Sequence, residues 1–74
     1  MKTFYLKILH AGMSYSYAEV RADFFEISDG AYVFYIRTQN PNDPDFEYDK
    51  IVCAYPVALT IIESIETDED NITI

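Results

Sequence analysis

Phe24-Phe25-Glu26-Ile27-Ser28-Asp29-Gly30-Ala31-Tyr32-Val33-Phe34-Tyr35-Ile36-Arg37 is the stretch whose reading decides the fold. Two runs rich in aromatic and β-branched residues flank Asp29-Gly30, a strong short-range hairpin signal. A two-residue type I′ turn needs φ > 0 at both central positions, which Asp tolerates and Gly permits freely. With that turn, Ile27 faces Tyr32 and Phe25 faces Phe34, and Ile36 extends the row into a cross-strand aromatic ladder. A three-residue loop with a bulge at Gly30 would instead flip the second strand to the other face.

Upstream, Lys2 to Leu9 alternates, with Phe4, Leu6 and Ile8 on one face and Thr3, Tyr5 and Lys7 on the other. That is the pattern of a half-buried strand, broken by Ala11-Gly12. Residues 16–28 read as one long strand whose apolar phase slips at Phe24-Phe25, as at a β-bulge. The same residues also fit a helix: Ser16-Tyr17-Ala18-Glu19 is a formal capping box, and Val20, Phe24 and Ile27 fall on one stripe.

Downstream, Thr38 to Asp45 reads as a polar loop with two prolines. Lys50 to Tyr55 is a strand stopped by Pro56. Pro56 to Leu59 suits a 3₁₀ turn, and Thr60 to Glu66 a closing strand, with an amphipathic helix over 57–66 as the competing reading. The fold expected is all-β: a five-stranded, strongly bent antiparallel sheet closing into a small SH3-like barrel. The alternative is α+β with one helix at 17–27 or 57–66. Residues 1–66 form a single small domain in this reading, and residues 67–74 an acidic tail open to fraying.

Seventy-four residues with half of them apolar are near the lower limit for a chain that buries its own core. Seven Tyr and five Phe are more aromatics than such a core can enclose, so some are left for a surface. That raises the expectation of a binding face or a homodimer. The single Cys53 excludes an internal disulfide and points to a reducing, cytoplasmic setting. Lys7 interrupts any signal-like apolar run at the N-terminus, and no apolar run is long enough to span a membrane.

No constellation here names a reaction. His10 is the only histidine, and Cys53 lies in an apolar strand, where a buried small hydrophobe is the bland reading. The run Asn40 to Asp49 superficially resembles a calcium loop. It lacks the glycine at loop position six and the bidentate glutamate at position twelve, and no metal or other cofactor is expected.

Charge placement is the more informative feature. Residues 1–37 hold four acids and four bases, whereas residues 38–74 hold nine acids against Lys50 alone, which accounts for the net charge of −8. Asp43, Asp45, Glu47 and Asp49 recur with period two; in an extended chain they line one face about 6.6 Å apart, twice the ~3.3 Å rise per residue. That spacing is of the order of the phosphate repeat along one nucleic-acid strand. Glu63, Glu66, Asp68, Glu69 and Asp70 form a second acidic group, and Phe46 and Tyr48 interleave with the first as interface anchors.

The expected function is therefore non-enzymatic. The chain reads as an acidic protein-binding module that mimics nucleic-acid charge and occupies a basic, nucleic-acid-binding protein partner, with no direct binding to nucleic acid or membrane. In general character (short, acidic, rich in aromatics, without a catalytic site) it is similar to the small inhibitors that phages make against host nucleases and defence systems. That likeness is compositional and covers no defined motif. Other readings are a small-ligand binder with an aromatic pocket at a subunit interface, and a structural homo-oligomer subunit.

Overall fold

A computed structural model describes residues 1–67. Among them are six antiparallel strands and no α-helix: β1 (Lys2–Leu9), β2 (Tyr15–Ala22), β3 (Phe24–Ser28), β4 (Ala31–Asn40), β5 (Asp43–Pro56) and β6 (Thr60–Thr67). Single 3₁₀ turns at Ala11–Met13 and Val57–Leu59 join β1 to β2 and β5 to β6. The strands form two three-stranded sheets, in the orders β2-β1-β6 and β3-β4-β5.

The hairpin folds as its turn residues dictate. Asp29 and Gly30 have φ of 50° and 76°, and Ser28 pairs with Ala31, Ile27 with Tyr32 and Phe25 with Phe34. This is the register of the two-residue turn, with Phe25 and Phe34 on the face that packs against the first sheet.

Four expectations are corrected. Residues 16–28 are two strands, not one bulged strand, because the chain leaves the first sheet at Asp23 and enters the second at Phe24. This makes six strands in place of five. Among the described residues no hydrogen-bonded ladder joins the two sheets, and no closed barrel is seen. Neither 17–27 nor 57–66 is helical: cross-strand partners on β1 and β4 claim the first, and β1 claims most of the second, leaving only Val57–Leu59 as a 3₁₀ turn. Finally, 38–45 is mostly strand. β4 runs to Asn40 and β5 begins at Asp43, so the loop shrinks to Pro41-Asn42. Pro44 fits within β5 because the ladder slips there, from Gln39–Glu47 to Asn40–Asp43, leaving 44–46 without partners on β4.

The core lies between the inner faces of the sheets. Phe4, Leu6, Val20 and Ala22 from the first sheet and Phe34 from the second are buried, with Phe25, Tyr32, Cys53, Tyr55 and Ile62 packed around them. Phe4 meets Phe34 edge-on at 5.1 Å and Phe25 at 5.7 Å between ring centroids. The edge-to-face geometry sets the positive rim of one ring against the negative face of the next.

Beyond Tyr35, β4 loses β3 as a neighbour and pairs only with β5. The two strands continue as a ribbon to the loop at Pro41-Asn42. The radius of gyration is 14.7 Å, against about 11 Å for a compact chain of this length.

Candidate protein-binding surfaces

Three groups of residues singled out in the sequence fall at separate places. Asp43, Asp45, Phe46, Glu47, Tyr48 and Asp49 lie on the β4–β5 ribbon, all exposed. Glu63 and Glu66 lie on β6, in the other sheet. Thr67, assigned to the tail, is the last residue of β6, while Asp68, Glu69 and Asp70 lie outside the described residues.

On the ribbon, alternation puts Glu47 and Asp49 on the outer side, opposite Gln39 and Arg37, and Tyr48 on the other side opposite Thr38. Phe46 and Tyr48 stack with centroids 6.5 Å apart and remain 53 % and 43 % exposed. The acidic row is not a free ladder of charges. Asp49 Oδ1 accepts a bond from the Arg37 Nε–H at 3.4 Å, and the Arg37 guanidinium lies 5.4 Å above the Phe24 ring. Asp43 Oδ1 accepts the Asp45 backbone N–H at 3.2 Å, and Asn40 Oδ1 that of Asn42 at 2.9 Å. These two local bonds hold the ribbon tip in turns that Asx side chains favour. The period-two spacing therefore persists between Glu47 and Asp49 but is broken across 44–46.

On the first sheet, a bulge shapes the surface. Tyr5 pairs with Ser64 and Leu6 with Ile62, so Glu63 is the extra residue of β6. Bulges re-aim side chains, and Glu63 lines a groove of about 250 Å³ together with Tyr5, Leu6, Tyr17, Ala18 and Glu19. Tyr17 is 70 % exposed. Glu66, followed by desolvation and Glu19, raises the pKa of the Tyr5 hydroxyl above the ordinary 10.0. Arg21 opposes the shift but is the smallest contributor. Further along this sheet, Lys7 Nζ sits 4.2 Å from the Tyr15 ring centroid, and a smaller groove of about 180 Å³ is lined by both residues, by Leu9 and by residues 57–61.

The chemistry-bearing side chains are dispersed. Cys53 is partly buried beside its cross-strand partner Phe34, and burial pushes its thiol pKa up, away from the thiolate a nucleophile needs. His10 does have a partner that its sequence position does not reveal. Its Nε2 lies 2.6 Å from Ser16 Oγ, across the turn between β1 and β2. The exposed pair ties the two strand ends together, and among the described residues no carboxylate is paired with the imidazole to orient it as in a nucleophilic triad. Among the described residues, no three His, Cys, Asp or Glu side chains gather as a metal site. No helix among them is long and apolar enough to cross a membrane.

No family model, curated protein or solved structure matches this chain.

Proposed function

We propose that the chain is a non-enzymatic, cytoplasmic protein-binding module whose β4–β5 ribbon engages a basic, nucleic-acid-binding protein. The observation that carries this reading is the exposed Phe46–Tyr48 stack on a two-stranded ribbon, with Asp43, Asp45, Glu47 and Asp49 beside it. A two-stranded ribbon is marginally stable by itself, and aromatic anchors rimmed by charge are what interfaces use. Carboxylates on the ribbon add steering toward a cationic cleft.

Mimicry of nucleic-acid charge, in the manner of a phage-type inhibitor, is the finer form of this proposal. Glu47, Asp45 and Asp43 are its carriers, since Asp49 is partly neutralised by Arg37. The strand order, with 15–28 shared between two sheets and a 3₁₀ turn before the last strand, supports an open relative of the SH3-like barrel as the scaffold. A pull-down from host lysate eluted with a salt gradient tests the reading. Release of a nucleic-acid-processing protein at moderate salt, and its loss with Asp43→Asn/Asp45→Asn/Glu47→Gln/Asp49→Asn, is expected. Salt-insensitive retention would rule out the electrostatic form.

A second reading is self-association. β5 pairs with β4 on one side only among the described residues, and Ile51 and Val52 are exposed along it. An open apolar strand edge can template pairing with another copy. Sedimentation at several protein concentrations, without any partner, distinguishes the two readings.

A further inference from the structure

We infer that the groove across the outer face of the first sheet is a receptor for one guanidinium group, an arginine side chain presented by a protein. The groove crosses all three strands: Tyr17 and Glu19 from β2, Tyr5 from β1 and Glu63 from β6. Its lining includes two tyrosines, and its two carboxylates come from the strands on either side of Tyr5. A planar cation stacks on such rings and pairs with carboxylates in a fork, which a compact ammonium does less well. At about 250 Å³ the space falls below the ~300–1,000 Å³ usual for small-molecule and cofactor sites. It suits a single side chain.

Two observations, independent of one another, fit a cationic occupant. The first is the bulge that places Glu63 at the groove instead of continuing the strand's alternation. The second is the setting of Tyr5, whose hydroxyl proton is held more tightly by Glu66 first, then by burial and by Glu19, with Arg21 opposing. The charged groups facing this region are thus Glu19, Glu63 and Glu66 against Arg21, with Lys7 drawn aside over Tyr15. The lining of the groove itself carries two carboxylates and no base.

The inference rests on the basic-partner reading only for what molecule carries the arginine; the groove itself lies on a different sheet from the ribbon. The test is an amide chemical-shift titration of the whole chain with N-acetyl-arginine methylamide, against its uncharged isostere N-acetyl-citrulline methylamide. Expected are perturbations centred on Tyr5, Leu6, Tyr17, Ala18, Glu19 and Glu63 with the arginine probe and not with citrulline. Tyr17→Ala, at an exposed position that leaves the core untouched, should weaken the probe's affinity about three- to fivefold, the scale of an exposed cation–π contact. Glu63→Gln should weaken it similarly, and the fourfold ribbon variant should leave it unchanged. Equal response to citrulline, or perturbations spread over the ribbon carboxylates in place of the groove, would overturn the assignment. A groove that binds arginine while the ribbon captures no partner would sink the ribbon proposal and leave this one standing.

Discussion

The Asp23 carboxylate accepts the backbone N–H of Arg37 at 2.7 Å, fourteen residues along the chain. The Asp23 backbone N–H in turn donates to the Tyr35 carbonyl at 2.8 Å. Together these bonds continue the β3–β4 ladder one step past Phe24, while the main chain turns away into the first sheet. One residue thus satisfies backbone groups on both sides of a corner that would otherwise leave them unpaired.

Asp23→Ala should lower stability by about 1–2 kcal/mol, the usual cost of removing a partly exposed hydrogen bond to a charged group. Asp23→Asn keeps an acceptor and should lose less. Urea unfolding measures both; an unchanged midpoint for Ala would mean that the corner is held by packing alone.

Phe34 is fully buried and contacts Phe4, Phe25 and Tyr55. Phe34→Ala should cost about 3–5 kcal/mol, enough to unfold much of a 74-residue chain. Ile27→Ala, on the same face but largely exposed at the open end of β3, should cost under about 1 kcal/mol. Circular dichroism melts of the pair separate core from periphery.

Gly30 has φ of +76°, and a Cβ placed there meets nothing within 4 Å. Its substitution therefore tests backbone conformation without a steric clash. Gly30→Ala should destabilise by about 1 kcal/mol, the cost of a left-handed conformation for a residue with a Cβ. A larger loss, or a changed pattern of amide resonances along β4, would point to a register shift instead.

Alkaline pH probes two groups whose folded pKa values are raised: Cys53 above the ordinary 9.0 by burial, and Tyr5 above 10.0, chiefly by Glu66. In both cases the folded chain keeps a proton that the unfolded chain releases. Their contribution to stability is complete below pH 9.0 and pH 10.0 respectively and is lost as pH rises through the folded values. Tyr5→Phe should flatten the decline of the urea midpoint above pH 10.0, and Glu66→Gln should bring the tyrosine's ultraviolet titration to lower pH. An unaltered titration in Glu66→Gln would contradict the assigned cause.

For the ribbon, Phe46→Ala with Tyr48→Ala should change folding stability by under about 0.5 kcal/mol, because both rings stand largely in solvent. If they anchor a partner, binding should weaken by 2 kcal/mol or more, about thirtyfold. Isothermal titration with the captured partner reads the difference. Loss of stability without loss of affinity would make the stack a structural feature of the ribbon.

The sequence by itself determined the Asp29-Gly30 turn and the strand β1 and favoured the all-β class, because each rests on chemistry within a few residues of chain. The hairpin register and the choice of strand over helix for 60–66 came instead from the cross-strand pairing. Positive φ selects Asp and Gly, alternation selects a half-buried strand, and Pro56 stops β5. Tertiary structure alone decided where 15–28 changes sheets, because that depends on whether Asp23 can hold the backbone of Tyr35 and Arg37, fourteen residues away in the latter case. It likewise turned the polar 38–45 segment into strand, since β4 and β5 satisfy each other's backbone whatever their side chains. The candidate surface divides along the same line. Phe46, Tyr48 and the acids around them were legible as a charged aromatic run. The Arg37–Asp49 pairing and the groove formed by Tyr5, Tyr17, Glu19 and Glu63 were not, because cross-strand neighbours are set by register and bulges that no local pattern records.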